Sequence, residues 1–303
     1  MRVAVMGAGA IGCYFGAMLA RAKHDVVLIG RPQHVEAVNQ HGLMLESRFF
    51  HGGIPMQATT EASGVEGADV VLFCVKSPDT EASGRAIAPF LKPDATVICL
   101  QNGVDNAERL QTTIRPIAVP AVVYVATEMA GPGHVKHNGR GELIIGPSPA
   151  SADIAKQFSE AAIPTTISDK VTSELWIKLV TNCAYNALSA VAELPYGPLL
   201  KVEGVTGVMH NVIDECEAVA RALGIPLPDT LRDTTLALAA SMPEQYSSTA
   251  QDLARGKPTE IDYLNGHVVR KGAALGIPTP TNLALQVMVK AREAHRMRSA
   301  RAP

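Results

Sequence analysis

The run Gly7-Ala8-Gly9-Ala10-Ile11-Gly12 constrains the fold of this chain more than any other stretch. The short apolar run Arg2-Val3-Ala4-Val5-Met6 precedes it directly. An apolar helical pattern follows through Tyr14-Phe15-Gly16-Ala17-Met18-Leu19-Ala20, and a second apolar run, Val26-Val27-Leu28-Ile29, comes next. Strand, glycine turn, helix and strand make a βαβ unit, the context in which G-x-G-x-x-G binds a dinucleotide. Each glycine has its own task. Gly7 permits the tight turn, Gly9 lets a pyrophosphate approach backbone, and Gly12 lets helix and strand pack closely. Ala8, Ala10 and Ile11 share the loop, so all six residues are expected to face the cofactor. The helix N-terminus there offers free N–H groups and a positive dipole end to the phosphates. A tight glycine turn without a ligand is the plain alternative.

Arg2 and the apolar residues to Ala20 imitate a secretory leader, but Gly7, Gly9, Gly12 and Gly16 and the strand-turn-helix split argue against one. No other stretch is long and apolar enough to span a bilayer, so no membrane association is expected.

The end of the second strand should read the cofactor's ribose. An NAD enzyme usually carries an acid there, to bond the 2′-hydroxyl. Here the position holds Gly30-Arg31, with no acid until Glu36, and Asp25 lies at the wrong end of the strand. A guanidinium suits a 2′-phosphate through charge and paired hydrogen bonds. NADP(H) is therefore expected over NAD, with a surface arginine opening a loop as the plain alternative.

Alternation of strands and helices continues. Asp69–Val75 and Ala95–Leu100 read as buried parallel strands, ending at Lys76-Ser77 and Gln101-Asn102-Gly103. Ligands of an open parallel sheet bind beyond the carboxyl ends of its strands. Lys76 is thus expected to meet cofactor phosphate or ribose oxygens, and Asn102 the nicotinamide ribose, the substrate, or both. Ordinary loop chemistry competes for each, since Asn-Gly is a common turn signal. Ile117–Val125 reads as a further strand, Gly133 to Gly146 as a hairpin with a glycine-rich connection, Ala150–Phe158 as a helix and Thr165–Ile167 as a last strand.

Beyond Ser168-Asp169 the pattern turns helical almost to the end, with breaks at Leu194–Pro198, Gly224–Pro226 and Gly276–Pro278. With 303 residues the chain suits two domains. The expected architecture is an α/β Rossmann-like domain over 1–168 and an all-α domain over 169–303, with the cleft between them as the natural substrate site.

The helical half carries a polar stripe. Lys178 sits in the apolar run Glu174-Leu175-Trp176-Ile177-Lys178-Leu179-Val180, and Asn182 and Asn186 follow at steps of four. At 3.6 residues per turn these side chains lie along one narrow band. Such groups are costly to bury unless partnered, so the stripe asks for a polar ligand, and Lys178 is its one proton-carrying member. A solvated face is the bland alternative. Later, Ser247-Ser248-Thr249-Ala250 opens a helix with a Ser or Thr cap, and Arg255–Gly266 reads as the start of another, with Pro258 early in it. Glu260 is then either a first-turn acid facing the helix dipole or the carboxylate that positions or charges Lys178.

Composition excludes several classes. A net charge of -2 implies no broad pull toward nucleic acid. The five cysteines are scattered, odd in number and lack C-x-x-C pairing, which favours free thiols in a reducing, cytoplasmic setting and no metal. Cys183, beside the stripe, reads as a small buried apolar residue and not as a nucleophile. The apolar helices of the second half suit a core or a homodimer interface equally.

Together these residues resemble the ketopantoate reductase family over essentially the whole chain. The resemblance rests on the Gly7–Gly12 fingerprint, Arg31, Lys76-Ser77, Gln101-Asn102-Gly103, Trp176-Ile177-Lys178 with Asn182 and Asn186, and Ser248 with Thr259-Glu260-Ile261-Asp262. It implies NADPH-dependent reduction of a small-molecule 2-oxo acid, 2-dehydropantoate, to an (R)-2-hydroxy acid, (R)-pantoate. It implies Lys178 as general acid, Asn102, Asn182, Asn186 and Ser248 as substrate-binding groups, and Glu260 as a supporting acid, counted with the catalytic and cofactor-contacting residues. It also implies a helical domain similar to the C-terminal domain of 6-phosphogluconate dehydrogenase. The chemistry is coherent, because an ammonium beside the keto oxygen stabilises its growing charge and then donates the proton.

Two positions depart from the family pattern. Asn186-Ala187 stands where Asn-Pro is typical, and Leu194-Pro195-Tyr196-Gly197 where Cys-Pro-Asn-Gly is common. Tyr196 is therefore expected at the substrate, offering a hydroxyl but changing the pocket's volume and shape. A relative acting on another branched or aromatic 2-oxo acid is the nearest alternative. A non-catalytic NADP-binding sensor is the alternative of a different class, and the joint presence of Lys178, Asn182, Asn186, Ser248 and Glu260 speaks against it.

Overall fold

The computed structural model describes residues 1–299. The chain divides into two compact units, Met1–Val171 and Thr172 onward. Residues 300–303 of the expected helical domain lie outside the described residues.

The first unit alternates strands and helices as the apolar runs require. Its strands are β1 (Arg2–Met6), β2 (Asp25–Ile29), β3 (Leu43–Ser47), β4 (Phe50–Ile54), β5 (Gln57–Thr59), β6 (Val70–Phe73), β7 (Thr96–Cys99), β8 (Ile117–Gly131), β9 (His134–Ile145) and β10 (Thr165–Ile167). Its helices are α1 (Ala10–Arg21), α2 (Pro32–His41), α3 (Thr80–Ile87), α4 (Asn106–Gln111) and α5 (Ser151–Glu160). The sheet runs β4-β3-β9-β8-β7-β6-β1-β2-β5, with β10 on β9. From β5 through the first four residues of β8, Ile117 to Pro120, every pairing is parallel. The central strands are near-continuously apolar because both faces are covered. Val3, Val5 and Leu72 face one core with Phe15 of α1 and Phe158 of α5. Their alternating neighbours Ala4, Val71 and Phe73 face another with Ile87 of α3 and Leu110 of α4.

The chain leaves β1 through α1 to β2 on one side, while β6 pairs on the other side of β1. The strand order therefore reverses at β1, and the carboxyl ends of β1 and β6 frame the switch point of a doubly wound sheet.

The structure corrects the expected hairpin between Gly133 and Gly146. Residues His134–Ile145 form the single strand β9, antiparallel to β8. The interior glycines mark ladder irregularities, not a turn: Gly139 and Gly141 have φ of 150° and 146°, and the register shifts between Tyr124 and Val125 and between Ala126 and Thr127. The strands β3 to β5 carried no expectation, because Phe50-His51-Gly52-Gly53-Ile54 shows no apolar alternation strong enough to announce one.

The second unit is helical: α6 (Val171–Ala192), α7 (Tyr196–Leu200), α8 (Val205–Ala222), α9 (Leu231–Ser241), α10 (Ser248–Ala254), α11 (Asn265–Leu275) and α12 (Pro280–Ser299). The breaks fall where the turn signals stood, with Gly224 and Gly276 left-handed at φ of 71° and 70°. The expected helix across Arg255–Gly266 does not form. Residues 257–260 are irregular, one 3-10 turn covers Ile261–Tyr263, and α11 begins only at Asn265. Tertiary bonds outweigh local propensity here. The Thr259 amide donates to Glu293 Oε1 of α12 at 2.7 Å, and Gln286 and Lys290 of α12 hold the Asp262 carboxylate at 2.5 and 2.9 Å. Burial alone would raise the Asp262 pKa, but these bonds hold it below the usual carboxylate range.

Candidate active site

Two groups of candidate residues are assembled, one in each unit. In the first unit the glycine loop closes β1 onto α1. The amides of Gly7 and Ala8 both donate to the Ile29 carbonyl, at 3.0 and 2.9 Å. Gly7 has φ of 108°, and a Cβ on it would lie 2.7 Å from the Cys74 carbonyl carbon, so the site takes glycine for two reasons. A Cβ on Gly12 would lie 2.3 Å from the Gly7 oxygen and 2.7 Å from Val5 Cγ1. Only glycine lets α1 sit that close to β1. Gly9 is different: it is exposed, and a Cβ on it would meet nothing within 4 Å. Fold packing does not require a glycine there.

Helix α1 has Gly9 as its N-cap, no side-chain cap and no acid in its first turn. Its first amides therefore project from the loop without a protein acceptor in the helix. This arrangement fits a dinucleotide's pyrophosphate. Arg31 is exposed, sits as the N-cap of α2 in extended backbone, and follows Gly30 at the end of β2. Lys76 is exposed just beyond β6, while Ser77 is fully buried.

Asn102, half-buried beyond β7, belongs to a buried polar network. Its backbone carbonyl accepts from Ser77 Oγ at 3.0 Å and from Asn106 Nδ2 at 2.6 Å. Thr80 receives Gln101 Nε2 at 2.8 Å, and Arg109 binds Glu81 through two bonds of 2.7 Å. The Arg109 guanidinium holds the Glu81 carboxyl below the usual carboxylate range. Sequence reasoning singled out Gln101 and Ser77 only as parts of motifs and missed Thr80, Asn106 and Arg109. The available signal was Asn106 four residues after Asn102, at the start of a helix.

In the second unit α6 is buried on most sides, with Trp176 at 2%, Leu179 at 1% and Val180 at 0% exposure. Lys178 and Asn182 are half-buried, and Asn186 is 2% exposed. The stripe is thus a polar band on an otherwise core-facing helix. The Asn182 amide makes no side-chain hydrogen bond among the described residues, which leaves both its donor and its acceptor for a ligand.

Ser248, exposed at the start of α10, is brought to the stripe. Asn186 Nδ2 lies 3.5 Å from Ser248 Oγ, long for a hydrogen bond. The placement is built by Ser247, the N-cap of α10. Its hydroxyl accepts the Ala250 amide at 3.0 Å and donates to the Asn186 carbonyl at 3.1 Å. Its own amide donates to Ser189 Oγ at 3.3 Å. Glu260 is 8% exposed, just before the 3-10 turn clamped by α12.

Tyr196 is 8% exposed and packs on Tyr185, with ring centroids 4.5 Å apart. Burial, and then the neighbouring Tyr185, push its pKa up. Its amide donates to the Gln245 carbonyl at 3.0 Å, tying this turn to the segment that leads into Ser247. The Tyr196 ring packs beside α6 through Tyr185.

Burial raises the thiol pKa of Cys13 and Cys99 to about 12 and pushes Cys74 and Cys183 up as well. None of these thiols is a ready nucleophile. No group of three metal-ligating side chains occurs among the described residues, and no helix there is long and apolar enough to cross a membrane.

Comparison with known proteins covers nearly the whole chain. The family described as Ketopantoate reductase PanE/ApbA matches residues 3–150, and Ketopantoate reductase PanE/ApbA C terminal matches residues 170–293. The 2-dehydropantoate 2-reductase of Pyrococcus horikoshii is 30% identical over 299 residues, 97% of this chain and 98% of that protein. A crystal structure of a PanE/ApbA family ketopantoate reductase from Ralstonia eutropha JMP134 superposes with a TM-score of 0.96 at 54% identity, covering 98% of this chain and 100% of that one. The ternary structure of D-mandelate dehydrogenase with NADH and anilino(oxo)acetate has a TM-score of 0.92 at 26% identity, with coverage of 98% and 100%.

Proposed function

Because the chain belongs to the ketopantoate reductase family, a family of nicotinamide-dependent oxidoreductases acting on CH–OH groups, we propose that it reduces 2-dehydropantoate to (R)-pantoate with NADPH. The observation that carries this reading is the α6 stripe. A half-buried lysine, an uncommitted asparagine amide and a buried asparagine facing a serine hydroxyl lie along one helix face.

The cofactor, when bound, supplies a hydride to the keto carbon of the substrate. The chain's residues do the rest. Lys178 places an ammonium at the keto oxygen, stabilises the charge that grows there and transfers a proton to it. Asn182 and Asn186 donate amide N–H groups, and Ser248 a hydroxyl, to the substrate carboxylate. The long Asn186–Ser248 separation suits two donors that share an acceptor better than a bond to each other. Glu260 supports the lysine's charged form. Gly7 to Gly12 hold the pyrophosphate, Lys76 and Asn102 meet phosphate, ribose or substrate oxygens, and Arg31 binds the 2′-phosphate.

Turnover is tested by following NADPH oxidation by absorbance across a panel of 2-oxo acids. Ketopantoate is expected to give the highest kcat/KM. NADPH binding without turnover on any 2-oxo acid would defeat the enzymatic reading and favour the sensor. The fold shared with D-mandelate dehydrogenase, and Tyr196 where an asparagine is common, favour an aromatic 2-oxo acid as the second reading. If benzoylformate far exceeds ketopantoate in kcat/KM, the substrate changes and the reaction class stands.

Cofactor choice is tested at Arg31. Arg31→Asp removes charge-assisted bonds worth about 1.5–3 kcal/mol, so NADPH affinity should fall about 10- to 100-fold while NADH affinity changes little. Equal losses for the two cofactors would overturn the 2′-phosphate assignment.

A further inference from the structure

We propose that Asn106 is a positioning residue for the reaction, acting through the backbone carbonyl of Asn102. The proposal rests on the reading that Asn102 contacts cofactor or substrate. Asn106 is 4% exposed, and both its amide hydrogens and its carbonyl oxygen have partners. Nδ2 donates to the Asn102 carbonyl at 2.6 Å and to Ser77 Oγ at 3.2 Å. Oδ1 accepts from Arg109 Nη1 at 3.2 Å, and Thr80 Oγ1, whose one hydrogen is closer to the Ser77 carbonyl at 2.9 Å, lies 3.2 Å from it. The amide orientation is settled by the network, since the Asn102 carbonyl can only accept.

The Asn102 carbonyl is the point on which these bonds converge. It accepts a hydrogen bond from Ser77 Oγ at 3.0 Å and another from Asn106 Nδ2 at 2.6 Å. Ser77 follows Lys76 beyond β6, and Asn102 lies beyond β7. One buried amide therefore ties two ligand-facing loops of adjacent strands. Gly103, with φ of 100°, follows directly. Arg109 extends the brace to the Ser77 carbonyl at 2.9 Å. Without Asn106, the loop that aims the Asn102 side chain keeps one donor.

Asn106→Asp separates positioning from folding. The new carboxylate still accepts from Arg109, and its second oxygen accepts a hydrogen bond from the Ser77 hydroxyl. The Asn102 carbonyl then loses both donors and faces a negative oxygen. The buried site stays bonded and ion-paired, but the loop is released. We expect kcat/KM to fall about tenfold or more, the scale on which a small misplacement of a contacting group acts. The parameter that moves, kcat or the KM of one ligand, should be the one that Asn102→Ala moves. Ser77→Ala, which removes one of two donors, should show a smaller loss of the same kind.

The double variant Asn102→Ala/Asn106→Asp decides between routes. If Asn106 acts through Asn102, the double variant is no worse than Asn102→Ala. Losses that multiply, or an Asn106→Asp enzyme with wild-type kcat and KM, would overturn the proposal while leaving the role of Asn102 intact. If Asn102→Ala itself keeps wild-type turnover, the reading of Asn102 fails and the proposal falls with it. Should Asn106→Asp not fold, the cycle of Asn102→Ala with Ser77→Ala puts the same question to the other donor.

Discussion

Lys178→Ala is expected to lose about 10²- to 10⁴-fold in kcat, the usual contribution of a positioned proton donor. NADPH should bind as it does to the wild type, because the glycine loop and Arg31 lie in the other compact unit. Stability should change little. Lys178 is half-buried and its neighbours Trp176, Leu179 and Val180 carry the packing of α6. A further variant tells charge from proton transfer. Lys178→Arg keeps a cation at the stripe, but a guanidinium does not give up its proton near neutral pH. It should therefore remain far below wild type. Full activity in Lys178→Arg would reduce Lys178 to an electrostatic group, and wild-type kcat in Lys178→Ala would remove it from the mechanism. Isothermal titration with NADPH, beside steady-state kinetics, separates these outcomes.

Gly12→Ala and Gly9→Ala should differ sharply although they lie three residues apart. A methyl on Gly12 would lie 2.3 Å from the Gly7 carbonyl oxygen and 2.7 Å from Val5. One of these contacts is backbone and the other a fully buried valine, so α1 must lift away from β1. Overpacking of this kind costs about 1–3 kcal/mol, and more where backbone cannot give. A lower melting temperature and lost cofactor binding are expected together. A methyl on Gly9 meets nothing within 4 Å, and the residue's φ of -87° is open to any side chain. This variant should melt as the wild type does and still bind NADPH much more weakly, since the methyl occupies the approach of the pyrophosphate. Wild-type affinity in Gly9→Ala would mean that the phosphates do not pass over this loop. Differential scanning calorimetry and NADPH titration on the two variants give the contrast directly.

These contrasts show where sequence reading succeeded and where it stopped. The glycine loop was legible because its constraint is local: strand, turn and helix follow within twenty residues, and Gly12 answers a steric demand from Gly7 and Val5 close by in sequence. The α6 stripe was legible for the same reason, since helical period alone aligns Lys178, Asn182 and Asn186. Ser247 was readable as a cap. The segment around Glu260 was not. Pro258 and Thr259 look like a helix start, yet bonds from Glu293, Gln286 and Lys290 on α12 hold it irregular. The β8–β9 ribbon was misread because Gly139 and Gly141 signal a turn locally but serve register shifts within one strand.

By itself the sequence determined the fold class, the glycine loop and the polar stripe, because those follow from backbone sterics and from the periods of strand and helix. Only the tertiary structure decided how the site residues are held. It set Ser248 against Asn186 through the Ser247 cap, buried Tyr196 on Tyr185, clamped the Glu260 segment with α12, and gathered Ser77, Thr80, Asn106 and Arg109 beneath Asn102. Those partners lie from three to more than sixty residues apart, and no local period encodes them. Their pairing is set by the requirement that polar groups buried by the fold find donors and acceptors wherever the fold brings them.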